Sequence, residues 1–151
     1  MNATVLVGVH DSAASAAAAA AAIEHARSSG AALRAVAVVE HDGIPNGSDR
    51  EAALLHGREQ ACSAALADVA RRATAAGVEA EVSLRRGRVA AEILAEAAAC
   101  HASVIVMGRM DRPGHVIPAI GSHTLGVVEF AHVPVLVVPE LHAAAHARWR
   151  G

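Results

Sequence analysis

Val104-Ile-Val-Met-Gly-Arg-Met-Asp111 leads into Arg112-Pro-Gly-His-Val-Ile-Pro-Ala-Ile120. Gly121-Ser-His-Thr-Leu-Gly-Val-Val-Glu-Phe-Ala131 follows, and then His132-Val-Pro-Val-Leu-Val-Val-Pro139. An apolar run closes on a glycine, a loop follows, and a Gly-Ser pair opens a helix that returns to a second apolar run. The order is strand, loop, helix, strand. A glycine at the strand end and open N–H groups at the helix start are chemistry that suits phosphate.

Outward from that unit the same alternation repeats. Thr4–Val9 is a β-branched run that reads as a buried central strand, with Asp11 or Ser12 to cap the next helix. Ala13–Ser28 is an alanine-rich helix stopped by Gly30, and its small side chains allow it to lie close to a sheet. Ala32–Val39 is the second strand, and Glu40–Ser48 is the most loop-like stretch. Asp49 caps a long helix to about Ala76, with Leu55, Cys62, Leu66, Val69 and Ala73 on one stripe. Gly57 weakens that helix and Gly77 ends it. Glu79–Leu84 alternates polar and apolar, as a half-exposed strand near a sheet edge does. A third helix turns Val89, Ile93, Leu94 and Ala97 inward. The remaining elements are a strand at Ser103–Met107, a helix at Ser122–His132 and a strand at Val135–Val138.

This succession predicts an α/β fold: a five-stranded parallel sheet, helices on both faces, right-handed crossovers and strand order 3-2-1-4-5. The 151 residues divide into one domain over residues 1–140 and a polar tail over 141–151. His142 and His146 stand four apart in that tail, which reads as solvated, and Trp149 lies there too.

Composition removes several function classes. The formal charge is −2 and there is one Phe, one Trp and no Tyr. Neither an electrostatic nor a base-stacking nucleic-acid binder is indicated, nor a membrane-surface binder. All 13 basic residues are arginine, so a Walker-A loop and a Schiff-base lysine are excluded. Cys62 and Cys100 show no metal or redox spacing and read as buried free thiols. With no leader and no long apolar run, a cytoplasmic location is expected.

In a doubly wound sheet, ligands bind outside the carboxyl ends of the strands where strand order reverses. Gly8-Val9-His10-Asp11 and Met107-Gly108-Arg109-Met110-Asp111 would then face each other. Gly108 would let backbone approach a ligand, and Gly121-Ser122-His123 would offer amides to an anion. Catalysis has little support, because no Ser-His-Asp order is readable and His115 and His123 are lone histidines.

Over nearly its whole length the chain resembles a universal stress protein. The likeness rests on Val5-Leu-Val-Gly-Val9, Ser12 and Ser15, Gly87, Val104-Ile-Val-Met-Gly108, Gly121-Ser122 and Val133-Pro-Val-Leu-Val-Val138. The family motif Gly-x2-Gly-x9-Gly-Ser/Thr keeps its spacing here. The resemblance implies an adenine-nucleotide alpha-hydrolase-like fold, a homodimer through Val135–Val138 and, in one branch, bound ATP. It implies that Gly8, Val9 and His10 flank base and ribose and that Val38 or Val39 lines the adenine. Met107, Gly108 and Arg109 would cross the ribose and phosphates, and Gly121, Ser122, His123 and Thr124 would hold the phosphate tail.

Two residues depart from the pattern. Asp111 stands at the second motif glycine, and His10 stands where the family usually has aspartate. A carboxylate about 4 Å from a phosphate costs on the order of 4 kcal/mol, roughly a thousandfold in affinity. Mg²⁺ held by Asp111 would remove that cost, as would a pairing with Arg109 or Arg112, or a less charged ligand such as AMP or a cyclic nucleotide. The expectation is a regulatory protein, not an enzyme, that binds ATP or another adenine nucleotide weakly or conditionally. The alternatives are a nucleotide-free dimeric interaction protein and a slow metal-dependent ATP hydrolase.

Overall fold

The computed structural model describes residues 3–10, 12–41, 44, 47, 49–109 and 120–140. Along them run β1 (Thr4–Gly8), α1 (Ala13–Ser29), β2 (Ala32–Val39), α2 (Asp49–Ala75) and β3 (Ala80–Arg86). They continue as α3 (Val89–Ala99), β4 (Ala102–Arg109), α4 (Ser122–Phe130) and β5 (Val135–Pro139). Every strand pair is parallel and the order is β3-β2-β1-β4-β5, the expected 3-2-1-4-5.

The two-residue period of the strands divides the core. Val5, Val7, Leu33, Ala35, Ala37, Val39 and Val106 meet buried residues of α1 and α2 on one face. Leu6, Val36, Ile105 and Met107 meet Ile93 of α3 and Val127 of α4 on the other. Helices therefore cover both faces, as the alternation of strand and helix requires.

Alanine governs the first face. Ala14, Ala18, Ala19, Ala22 and Ala26 of α1 are all buried, so the helix sits almost on the strands. The helix starts at Ser12, whose hydroxyl accepts from the Ser15 amide at 3.1 Å. It stops at Gly30 in a left-handed conformation (φ 68°), whose amide donates to the Ala26 carbonyl. Of the two expected caps, Ser12 serves; Asp11 lies outside the described residues.

The second face holds a feature that periodicity did not reveal. Glu96 of α3 is 3 % exposed. Its carboxylate accepts from Arg85 Nε at 2.5 Å, Ser83 Oγ at 3.1 Å and Arg34 at 3.2 Å. Burial pushes the Glu96 carboxyl up, but hydrogen bonds from Arg85 and Ser83 and the charges of Arg85 and Arg34 outweigh it. The net effect holds it below the ordinary carboxylate value. Arg85 also pairs with Glu92 at 2.9 Å, so two turns of α3 are tied to the edge strand β3.

Other differences from expectation are local. α4 ends at Phe130 because Ala131 turns extended (ψ 142°) ahead of Pro134, two residues short of the expected His132. Strand β3 extends to Arg86, so Arg85 belongs to the sheet and not to the turn. Cys62 is buried as expected, but Cys100 is only half-buried, and both thiols are free. Among the described residues, no helix is long and apolar enough to cross a membrane. The tail with His142, His146 and Trp149 lies outside the described residues.

Candidate functional site

β1 and β4 run side by side in register, with Leu6 opposite Ile105 and Val7 opposite Val106. Their carboxyl ends are thus adjacent, and the order of the sheet reverses between them. A cleft of about 580 Å³ opens there, within the range of small-ligand sites. Val36, Val38, Ile93 and Met107 make an apolar wall, while Gly121, Ser122, His123 and Thr124 form a polar end.

The glycines shape this cleft in different ways. A methyl on Gly8 would stand 2.8 Å from Met107 Sδ and 3.1 Å from Ile93 Cδ1, so its absence leaves room beneath the apolar wall. Gly108 was expected to let backbone approach a ligand. Its missing Cβ instead makes room for α1: a methyl would lie 2.6 Å from the Ala14 carbonyl oxygen. The residue still lines the cleft, but what forbids a side chain there is the helix start.

Gly121 sets up the polar end. Its backbone (φ 91°, ψ 149°) lies in a region that essentially only glycine occupies. The first i→i−4 bond of α4 runs from the Leu125 amide to the Gly121 carbonyl at 2.9 Å. The amides of Ser122, His123 and Thr124 precede it, and are the orphan donors of a helix start. Thr124 was expected to hold phosphate. Its buried hydroxyl donates to the Gly108 carbonyl at 3.1 Å and so pins α4 to the end of β4. Any contact with an anion would come from its amide.

Val38 and Val39 sit differently. Val38 lines the cleft, whereas Val39 packs in the α1–α2 core, because successive strand residues point to opposite faces. Val9 and His10 also line the cleft, and the His10 amide donates to Ser15 Oγ at 2.8 Å. Arg109 is not among the lining residues. It ends β4, and its carbonyl accepts from the Glu140 amide at 3.0 Å. Met110, Asp111, Arg112 and His115 lie outside the described residues, so the expected metal ligand Asp111 does too. Among the described residues, no group of three or more His, Cys, Asp or Glu side chains could hold a metal.

Several lining residues went unnoticed in the sequence. Glu40 follows β2 directly, and the rule that ligands sit past strand ends would have flagged it. Its carboxylate comes within 3.5 Å of His123 Nε2. Arg58 reaches in from α2 and donates to the Glu40 carbonyl at 2.6 Å; no local pattern marks it. Cys62 also faces the cleft, its thiol 3.7 Å from the Val38 carbonyl, and burial pushes that thiol up. Burial of this kind disfavours the thiolate that a nucleophilic role would need.

Comparisons with known proteins agree with this architecture. The family described as "Universal stress protein family" matches residues 1–139. Among curated proteins none matches the sequence. The fold is similar to that of universal stress protein UspA from Lactobacillus plantarum (TM-score 0.77, 22% identity, 90% of this chain and 97% of that one). It is also similar to the Archaeoglobus fulgidus universal stress protein in complex with dAMP (TM-score 0.67, 19% identity, 91% of this chain and 98% of that one). A third likeness is to a universal stress protein in complex with cAMP (TM-score 0.63, 22% identity, 93% of this chain and 98% of that one).

Proposed function

The chain belongs to the universal stress protein family, and from that premise we propose that it is a regulatory protein binding an adenine nucleotide weakly or conditionally, without turnover. One observation carries the reading: an apolar wall and the first turn of a helix line one cleft at the sheet's switch point. Val38, Ile93 and Met107 offer an aliphatic face to a base. Gly8, Val9 and His10 flank base and ribose, Gly108 lies under the ribose, and the amides of Ser122, His123 and Thr124 receive phosphate. The relatives in complex with dAMP and cAMP support the ligand class.

Mg²⁺ bridging Asp111 and the phosphates would offset the repulsion that its carboxylate brings. We place the protein in the cytoplasm, where its two free thiols stay reduced. We also propose a homodimer through β5, an edge strand whose Leu136 is exposed. The nucleotide-free reading is favoured by a different observation, the exposure of Leu125, Val128 and Phe130 on α4.

Thermal melts with ATP, AMP and cAMP, each with and without Mg²⁺, separate these readings. A ligand at a hundred times its Kd adds about 2.7 kcal/mol of stability. Asp111→Gly should strengthen ATP binding where repulsion is the limit and weaken it where Asp111 holds Mg²⁺. If no nucleotide moves the melt of either form, the interaction-protein reading stands. Phosphate release above background that disappears in Asp111→Asn would identify a hydrolase.

A further inference from the structure

Two ionisable side chains meet across the cleft at its polar end. His123 is the second residue of α4, and Glu40 follows the last residue of β2. His123 Nε2 lies 3.5 Å from Glu40 Oε1. Among the described lining residues, the other charged or titratable groups are His10 from the end of β1 and Arg58 and Cys62 from α2. Arg58 donates to the backbone carbonyl of Glu40, so it holds that strand end in place.

An exposed histidine–carboxylate pair is ordinarily a minor surface contact. Here its position gives it a further role. The amide of His123 is one of the helix-start donors of α4, so an anion seated on them would stand near an imidazole whose Nε2 already faces Glu40. A neutral imidazole has one N–H and can satisfy only one of the two anions. A protonated imidazole donates from both nitrogens, one to the carboxylate and the other to the phosphate.

We infer that nucleotide binding takes up one proton from solvent at His123, which then bridges Glu40 and the phosphate, so that affinity rises as pH falls. This rests on the nucleotide reading above and adds a specificity device to it. The helix-start amides favour an anion at any pH, and a charged histidine adds to that preference over a neutral ligand. A neutral nucleoside gains nothing from acidification.

Calorimetric titration with cAMP in two buffers of different ionisation enthalpy counts the protons bound. cAMP is the probe because its phosphodiester carries one charge throughout the neutral range, so the ligand itself does not titrate. Net uptake is expected, with tighter binding at pH 6 than at pH 8, by at most about tenfold per pH unit for one proton. His123→Gln should still bind cAMP but without uptake, and Glu40→Gln should reduce the uptake.

Measurable binding with no uptake in the wild-type protein overturns the inference and leaves the nucleotide reading intact. Uptake that survives His123→Gln but is lost in His10→Asn overturns it as well, by moving the proton to the other ring. If none of cAMP, AMP and ATP binds at either pH, the nucleotide reading itself falls and the proton linkage falls with it.

Discussion

Replacing Gly108 with alanine tests how the cleft is built. The new methyl would stand 2.6 Å from the Ala14 carbonyl oxygen, 2.8 Å from its carbonyl carbon and 3.2 Å from its Cβ. The nearest two atoms are backbone at the start of α1, so no side-chain rotation relieves the contact. Overpacking of this kind costs about 3 kcal/mol at the upper end of its usual range. The smaller unfolded-state entropy of alanine returns about 0.4–1 kcal/mol. A net loss of about 2 kcal/mol remains, which lowers the melting temperature of a chain this size by about 4–8 °C. Gly57→Ala is the internal control, because nothing lies within 4 Å of its added methyl. In the exposed interior of α2 that change should stabilise by about 0.5–1 kcal/mol. Thermal and urea unfolding of both variants measure the pair. A Gly108→Ala protein that melts at or above the wild-type temperature would refute the close approach of α1 to β4.

Glu96→Gln should cost about 2 kcal/mol, below the usual figure for breaking a buried pair because Arg34 and Arg85 keep partial access to water. Urea unfolding checks that value. Because the Glu96 carboxyl is held below its ordinary 4.5, its contribution is complete above that pH and lost as pH falls through the lowered value. The wild-type minus variant stability difference should therefore shrink on acidification, and a difference that grows would contradict the sign. Thr124→Val removes the 3.1 Å bond to Gly108 at nearly constant shape and should destabilise by about 1–2 kcal/mol. It should also weaken nucleotide binding by loosening the α4 start, which calorimetry would detect.

Where apolar periodicity decides a structure, the residues were sufficient to foresee it. The strand order, the two helical layers, the α2 stripe from Leu55 to Ala73 and the inward face of α3 all follow from alternating or 3.6-residue patterns. The site was legible where it consists of backbone. Gly8, Gly108 and the Gly121-Ser122 helix start are marked by residue type and by position at element ends. Side chains that cross from one element to another were not legible. Glu96 occupies a core position with charged partners on β2 and β3, which no helical pattern predicts. Arg58 enters the cleft from α2, and Thr124 bonds to β4 instead of presenting its hydroxyl to the cleft, because tertiary contacts alone decide these arrangements. Gly108 was expected to let backbone approach a ligand, whereas the contact that excludes a side chain there is the start of α1.

Amide chemical-shift mapping on addition of ATP with Mg²⁺ asks most directly whether a nucleotide sits at the switch point. The expected result is a set of shifts confined to Gly8, Val9, His10, Val38, Gly108 and Gly121 through Thr124, with the largest at the α4 start. Shifts that spare the Ser122, His123 and Thr124 amides, or that map to β3 and the outer face of α2, would contradict a nucleotide seated between β1 and β4.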